Sequence, residues 1–335
     1  MPRLLHGGAR DMLREVADGS VHTCITSPPY WNLRDYGCDG QIGLEPTPEE
    51  YVAKLVEVFR EVRRVLRPDG TFWLNISDSY VGGGGFCPDA PSNIARVSGD
   101  QAAWGKMHSW SADRFTSRRS PPRNASNIKA KNLVGIPWML AHALREDGWY
   151  VRAEIIWYKL ACPPENVRDR PTRAHETIFL LTSEPRYFYD AAAIAEDAAD
   201  PEGGTRNCRS VWPILPRPYK GAHFAVFPEE IPERCILAGT SAHGACKGCG
   251  TPWSHGEHDD WSPGCSCGDV GVVPCVVLDP FAGSGTTLAV AAELRRDYIG
   301  IELNPEYIKL IEQRLVPVNE TLAQANNLEL FMRDS

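Results

Sequence analysis

Four residues in a row, Ser27-Pro28-Pro29-Tyr30, directly follow a short apolar run, Val21 to Ile25. Proline lacks an amide hydrogen and fixes φ, so two in succession end sheet pairing and make a rigid ledge. Such a ledge can hold a hydroxyl, a backbone carbonyl and an aromatic ring around a flat substrate. An ordinary surface turn would have the same stiffness, so the ledge needs support from elsewhere in the chain.

That support comes near the C-terminus. Cys275 to Leu278 is apolar, Asp279-Pro280-Phe281-Ala282-Gly283-Ser284-Gly285-Thr286 is a glycine-rich turn, and Thr287 to Leu294 has helical character. Tyr298 to Ile301 forms the next apolar run and Glu302 ends it. Strand, glycine turn, helix, strand and acidic end make a nucleoside-binding arrangement. Glycines let the backbone approach a ligand, and the helix start offers unpaired N–H groups. Glu302 stands 19 residues after Gly283, where a carboxylate can accept both hydroxyls of a ribose. The turn is not GxGxxG and lacks the Lys–Ser/Thr ending of a phosphate loop. A polyphosphate is therefore disfavoured, and S-adenosylmethionine fits. The plainer alternative is a tight packing turn.

A third group is Cys246-Lys-Gly-Cys249 followed by Cys265-Ser-Cys267. Four thiolates suit a tetrahedral structural Zn²⁺ with no open position. The Cys-x-Cys pair is tighter than the usual spacing, and His255 and His258 are alternative ligands. Separate reduced cysteines are the competing reading.

These groups need a scaffold. The chain has 335 residues, 43% hydrophobic and 23% charged, enough for one large α/β domain with insertions or for two domains. It has no apolar run long enough for a membrane span and no signal-peptide region near its start, so cytoplasmic residence is expected, nucleoid-associated if DNA is the partner. Eleven cysteines in such a chain do not read as a disulfide framework. The net charge of −8 argues against a nucleic-acid binder, yet placement matters more than sum. Arg114, Arg118, Arg119, Arg123, Lys129 and Lys131 lie in a stretch without one acidic residue. That stretch reads either as a basic recognition loop or as a solvated one.

Strands are expected at Leu4–Leu5, Val21–Ile25, Thr71–Ile76, Val151–Tyr158 and Thr177–Leu181. A helix begins at Thr47-Pro48-Glu49-Glu50, with Thr47 as cap, Pro48 at N1 and Glu50 at N3. Its apolar stripe is Tyr51, Leu55, Val58, Val62 and Val65, and Pro68-Asp69-Gly70 ends it. Strands alternating with helices favour a mostly parallel sheet.

Taken together, the sequence resembles the permuted, beta-type DNA amino-methyltransferases, in which the catalytic motif precedes the cofactor motif. TSPPY (Thr26 to Tyr30), VLRPDG (Val65 to Gly70), RPTRAHETIFLLT (Arg170 to Thr182), HFAVFPEEIPERCI (His223 to Ile236) and DPFAGSGTT (Asp279 to Thr287) carry the resemblance. It covers roughly Leu4 to Leu315 and implies a Rossmann-like α/β fold with circularly permuted motifs, a basic insertion and a cysteine-rich insertion.

The resemblance also implies roles. Phe227 and Pro228 would line the methionine end of S-adenosylmethionine. Asp279, Pro280, Phe281, Gly283, Ser284, Gly285 and Thr286 would surround its carboxylate, amino group and sulfonium arm, and Glu302 would hold the ribose. Gly8 stands where relatives often have aspartate, so the adenine contact is absent, supplied by Asp11 or made by backbone. Ser27 and the Pro28 carbonyl would accept the hydrogens of an exocyclic amine on a flipped base. Pro29 would stiffen the turn and Tyr30 would stack. Trp31, Trp157 and Tyr158 are further stacking candidates or pocket wall. Cys24 reads as a buried strand residue. Serine at position 27 points to cytosine N4, and the adenine-N6 enzyme is the nearest alternative. A catalytically silent DNA-binding protein and an RNA methyltransferase are others. Lys159 is a candidate phosphate contact, and His175 could orient a loop near the base.

The expected division is an N-terminal segment of the catalytic half, 1–80, and a basic insertion for DNA recognition, 81–131. The remaining catalytic half, with possible target-recognition elements and FPEE, is 132–239. A zinc insertion, 240–270, the S-adenosylmethionine half, 271–316, and a tail, 317–335, complete the chain. Expected partners are duplex DNA and, in a restriction-modification setting, a cognate endonuclease. The sequence leaves oligomeric state open.

Overall fold

The computed structural model describes residues 2–81, 128–162, 164–198, 203–216, 227–255 and 260–333, the last with side chains through Val318 and at Thr321. In chain order the strands and helices are β1 (Arg3–His6), α1 (Ala9–Leu13), β2 (Val21–Thr26), α2 (Pro48–Val65), β3 (Leu66–Ile76), α3 (Ile136–Glu146), β4 (Tyr150–Lys159), β5 (His175–Thr182), β6 (Glu196–Asp197) and β7 (Thr205–Arg206). Then come β8 (Val211–Ile214), α4 (Glu230–Gly239), β9 (Ala245–Cys246), β10 (Trp253–His255), β11 (Trp261–Pro263), β12 (Val272–Val273), β13 (Val276–Asp279), α5 (Thr286–Glu293), β14 (Asp297–Glu302) and α6 (Pro305–Arg333).

Eight strands form one sheet in the order β1-β14-β13-β2-β3-β5-β4-β8. Only β5 runs against its neighbours: it is antiparallel to both β3 and β4, while the other pairs are parallel. Helices α1, α2 and α3 cover one face and α4, α5 and α6 the other, each over its own apolar cluster. The mostly parallel α/β expectation holds, and the fold is Rossmann-like with permuted order. β2 and its SPPY turn come early in the chain, yet β2 pairs with β13, which leads to the glycine turn.

The α2 start behaves as its residues dictate: Thr47 Oγ1 accepts the Glu50 amide at 3.2 Å, and all five stripe residues are buried. The end differs. The helix stops at Val65, and Leu66–Gly70, expected as helix end and turn, begins β3. Between the pairs Val21↔Leu66 and Thr23↔Thr71, β3 advances five residues while β2 advances two, so Arg67–Gly70 bulges from the ladder. Arg67 fastens the bulge through Asp69 with contacts of 2.8 and 2.9 Å. At the other end of the chain, α6 continues through Pro317, where a peripheral tail was expected.

The basic insertion leaves and returns at one place. Val81 N donates to Asn132 O at 2.9 Å, Lys131 N donates to Val81 O at 2.7 Å, and Tyr80 bridges Leu133. Its root therefore sits just beyond the C-terminal end of β3. Arg114, Arg118, Arg119 and Arg123 lie outside the described residues, as does His258. Among the described residues no helix is long and apolar enough to cross a membrane.

Candidate active site and cysteine knuckle

In the parallel strands of an open α/β sheet, ligands bind beyond the C-terminal ends. Here β2 ends at Thr26, β13 at Asp279 and β14 at Glu302, and all three lead into one cavity of about 380 Å³. Ser27, Pro28, Pro29 and Tyr30 form part of its wall; Phe227, Asp279, Pro280, Phe281, Gly283, Ser284, Thr286 and Glu302 form another. Pro228 and Gly285 adjoin that wall in sequence without lining the cavity. The two motifs recognised in the sequence thus share one space, of a size suited to a small organic ligand.

The glycine turn is held open by unusual backbone. Gly283 and Gly285 adopt φ of +54° and +77°, a region that side chains disfavour. Glu302 organises the turn: Oε2 accepts the Gly283 amide and Oε1 the Asn304 amide, each at 2.8 Å. Burial raises the Glu302 carboxyl above its ordinary value, and these amides offset only part of that rise. The donor set suits S-adenosylmethionine, because a carboxylate fixed at a strand end can still accept hydroxyl hydrogens from inside the cavity.

Asp279 is buried and internally committed. It accepts Thr26 Oγ1 at 2.6 Å, Thr287 Oγ1 at 2.7 Å and the Phe281 amide at 3.1 Å. Desolvation outweighs these three bonds and raises its pKa to about 6. Gly8 also lines the cavity. A Cβ there would stand 3.7 Å from Asp11 Oδ2, so Asp11 comes close to the place of the side chain that Gly8 lacks.

Around Ser27 lies a network that the motifs alone did not signal. Ser27 Oγ donates to Tyr30 Oη at 3.2 Å, and Tyr30 Oη donates to Glu176 Oε2 at 2.5 Å. Lys159 Nζ meets Glu176 Oε1 at 2.6 Å. Asn75 Nδ2 reaches Glu176 Oε2 at 2.9 Å and Tyr30 Oη at 3.1 Å. Desolvation, then the Glu176 charge, raises the Tyr30 pKa well above the ordinary phenol value. Lys159, expected at phosphate, lies in the cavity wall with its ammonium against Glu176 and 4.7 Å from the Trp157 ring centre. The hint available in the sequence was HETIF itself, whose Glu176 is a carboxylate near the start of a strand that is otherwise free of acidic residues.

The remaining candidates separate. Trp31 is buried and bonds Glu45 O at 2.9 Å; Trp157 is buried and lines the cavity; Tyr158 is exposed. Cys24 is wholly buried, as a strand residue should be, and burial raises its thiol pKa. His175 is exposed, and desolvation and nearby Arg173 lower its pKa. Lys131 pairs with Asp169 at 2.9 Å.

The cysteines converge. The Sγ atoms of Cys246, Cys249, Cys265 and Cys267 all lie within 4.8 Å of one another. Tetrahedral Zn²⁺ with sulfur ligands at about 2.3 Å requires sulfurs about 3.8 Å apart, so the cluster fits a metal with little movement. The thiols cannot ionise independently: hydrogen bonds with Thr251, then with Cys265 and Cys267, pull Cys249 down to about 6, while those with Cys249, Cys265 and Cys246 push Cys267 up to about 12.

This knuckle docks at the opposite edge of the sheet, where β2 and β3 begin. Arg67 Nη1 donates to Cys249 O at 2.8 Å. His22 Nδ1 accepts the Val276 amide at 2.9 Å, so its other nitrogen carries the hydrogen and donates to Gly250 O, also at 2.9 Å. Burial lowers the His22 pKa to about 4, consistent with this neutral imidazole.

Residues 21–313 match the N6/N4 DNA methylase family, and the chain belongs to it. It is thus an S-adenosylmethionine-dependent DNA methyltransferase of the amino-methylating class. It is 42% identical to the Type II methyltransferase M.SmaI of Serratia marcescens, over 94% of this chain and 90% of that one. It is 41% identical to M.Cfr9I of Citrobacter freundii, over 93% and 87%. Its fold is similar to that of the PvuII cytosine-N4-specific DNA methyltransferase, with TM-score 0.58, 17% identity and coverage of 93% and 85%. A putative DNA modification methylase of Thermus thermophilus, solved with S-adenosyl-L-methionine, gives TM-score 0.54, 23% identity and coverage of 95% and 96%.

Proposed function

We propose that this protein transfers a methyl group to the exocyclic N4 amine of a cytosine flipped out of duplex DNA. The observation carrying this reading is Ser27, at the end of β2 in the cavity that Glu302 also lines. The resemblance associates serine there with cytosine, and aspartate or asparagine with adenine. S-adenosylmethionine supplies an electrophilic methyl group. The amine is a poor nucleophile because its lone pair is delocalised into the ring. Ser27 Oγ and the Pro28 carbonyl accept its two hydrogens and turn the lone pair toward the methyl. Pro29 keeps these acceptors in place, since transfer depends on alignment. Tyr30 supplies a ring face for the base.

In the cofactor half, Glu302 holds the ribose hydroxyls, Phe227 and Pro228 flank the methionine end, and Asp279 to Thr286 shape the loop around it. Arg114, Arg118, Arg119, Arg123, Lys129 and Lys131 bind phosphate. The 81–131 root beyond β3 opens on the same sheet edge as the cavity, which supports this role. Cys246, Cys249, Cys265 and Cys267 hold one structural Zn²⁺ that staples the insertion to the sheet. The similarity to Type II methyltransferases supports a place beside a cognate restriction endonuclease.

The test is mass spectrometry of nucleosides from mixed-sequence duplex DNA incubated with the protein and S-adenosylmethionine. N4-methylcytosine is expected. N6-methyladenine instead would replace this reading with the adenine one.

A further inference from the structure

Ser27 can help an amine in the proposed reaction only if it offers lone pairs. A serine hydroxyl rotates freely, and its hydrogen pointed at the amine would repel it. Something must take that hydrogen away. The described residues contain a chain of hydrogen bonds able to do so.

A carboxylate only accepts hydrogen bonds. Glu176 Oε1 faces the Lys159 ammonium at 2.6 Å, so the pair holds the carboxylate in place. Glu176 Oε2 then takes the Tyr30 hydrogen at 2.5 Å and an Asn75 Nδ2 hydrogen at 2.9 Å. The second Nδ2 hydrogen lies between Tyr30 Oη at 3.1 Å and Ser27 Oγ at 3.4 Å, and toward either it can only be donated. With its own hydrogen directed to Glu176, Tyr30 Oη can meet Ser27 only as an acceptor, at 3.2 Å. Every link from Lys159 to Ser27 is therefore forced in one direction. Glu176 itself is 8% exposed and is the second residue of β5, in register with Trp157 of β4, so a paired strand fixes its backbone.

We propose that Glu176, clamped by Lys159, is a positioning residue that orders the hydrogens along Tyr30 and Ser27 so that Ser27 Oγ presents lone pairs to the substrate amine. This rests on the reading of Ser27 as the amine's acceptor. Glu176 touches no reacting atom and takes no proton during transfer. Its contribution is the pre-set orientation of a hydroxyl that would otherwise have to be turned in every catalytic cycle.

The glutamine variant tests direction rather than shape. In Glu176→Gln, Lys159 still requires an oxygen, so the carboxamide nitrogen must face Tyr30. Asn75 lies 2.9 Å from the same atom and could flip to offer its oxygen to either hydroxyl, so every variant is compared in an Asn75→Ala background. There the carboxamide donates to Tyr30 Oη, Tyr30 turns its hydrogen toward Ser27, and the Ser27 hydrogen is driven into the cavity. The measurement is the single-turnover methylation rate with duplex DNA and S-adenosylmethionine both saturating. Calorimetric S-adenosylmethionine affinity and thermal midpoint report folding. Glu176→Gln is expected to slow transfer about 100-fold, the scale of losing one oriented hydrogen-bonding group at a reacting centre, with cofactor affinity held.

Ser27→Ala and the double variant complete the cycle. In the Ser27→Ala background the Glu176→Gln change should cost nothing further, because its effect passes through Ser27. Adding Lys159→Met to Glu176→Gln frees the carboxamide to turn its oxygen to Tyr30, and should recover about fivefold or more. Full rate in Glu176→Gln, multiplying losses in the Ser27→Ala double, or a further fall on adding Lys159→Met would each overturn the ordering. If Ser27→Ala alone transfers at full rate, the acceptor reading fails instead, and the two failures are told apart.

Discussion

Thr26 Oγ1 donates to Asp279 Oδ1 at 2.6 Å, joining two residues 253 apart in sequence. The first ends β2 just before the SPPY turn, and the second ends β13 just before the glycine turn. One buried hydrogen bond therefore ties the proposed acceptor ledge to the proposed cofactor loop. Thr26→Val should leave Asp279 Oδ1 with the Phe281 amide alone and, since the lost bond is buried and runs to a carboxylate, destabilise the protein by about 1–3 kcal/mol. Urea denaturation measures this, and a loss below about 0.5 kcal/mol would mean that the bond does not tie the turns.

Asp279 also sets a pH dependence. Its folded pKa of about 6 lies above the ordinary aspartate value of 3.8, so the folded protein binds the proton more tightly. This group's contribution is fully present below about pH 4 and is lost as pH rises through 6. Across that window it amounts to about 3 kcal/mol. Relative to Asp279→Asn, the wild type should lose stability between about pH 4 and about pH 6.5; parallel stability–pH curves would contradict this assignment.

Glu302 carries two backbone amides of the cofactor loop as well as the proposed ribose contact. Glu302→Ala should weaken S-adenosylmethionine binding by roughly 1.5–3 kcal/mol, the value of a charge-assisted hydrogen bond. Glu302→Gln, which keeps an oxygen for one amide, should lose less. Calorimetry on folded variants decides, and unchanged affinity in Glu302→Ala would remove the ribose role.

Metal analysis of protein purified without chelator should find one zinc per chain. Cys246→Ser should lower zinc affinity and the thermal midpoint. Cofactor affinity should change by no more than about twofold, because the knuckle docks where β2 and β3 begin and the cavity lies where strands end. Absence of stoichiometric zinc would remove the four-cysteine assignment.

Replacing Arg118, Arg119 and Arg123 by glutamine should reduce the slope of log affinity against log salt by about 0.9 for each phosphate no longer neutralised. The deficit should be largest at low salt, with cofactor binding preserved. A duplex titration across a salt series tests this. Superposable curves would make the stretch a solvated loop.

What could be read from the sequence followed from local constraint. The α2 start was legible because cap, proline and acidic residue occupy fixed offsets. The glycine turn was legible because few residues tolerate its backbone, and the four cysteines because metal spacing is short-range. The ordering network was not. Asn75 and Tyr30 lie 101 and 146 residues from Glu176, and only the antiparallel placement of β5 brings them together. Arg67–Gly70 misled because Pro68-Asp69-Gly70 signals a turn, whereas pairing on both sides of the bulge carried the strand through it.

The reversal of β5 has a use in protein engineering. Its first residues finish up at the edge where the neighbouring strands end, so Glu176 reaches the cavity from within a hydrogen-bonded ladder. The described residues that flank 82–127 instead meet at a single root between β3 and α3, where Tyr80 and Val81 pair with Lys131 to Leu133. On the proposed division of labour, that segment could be transplanted from a relative with a different target, leaving the Lys159–Glu176 ladder untouched. The chimera would inherit the donor's choice of duplex while retaining this chain's turnover.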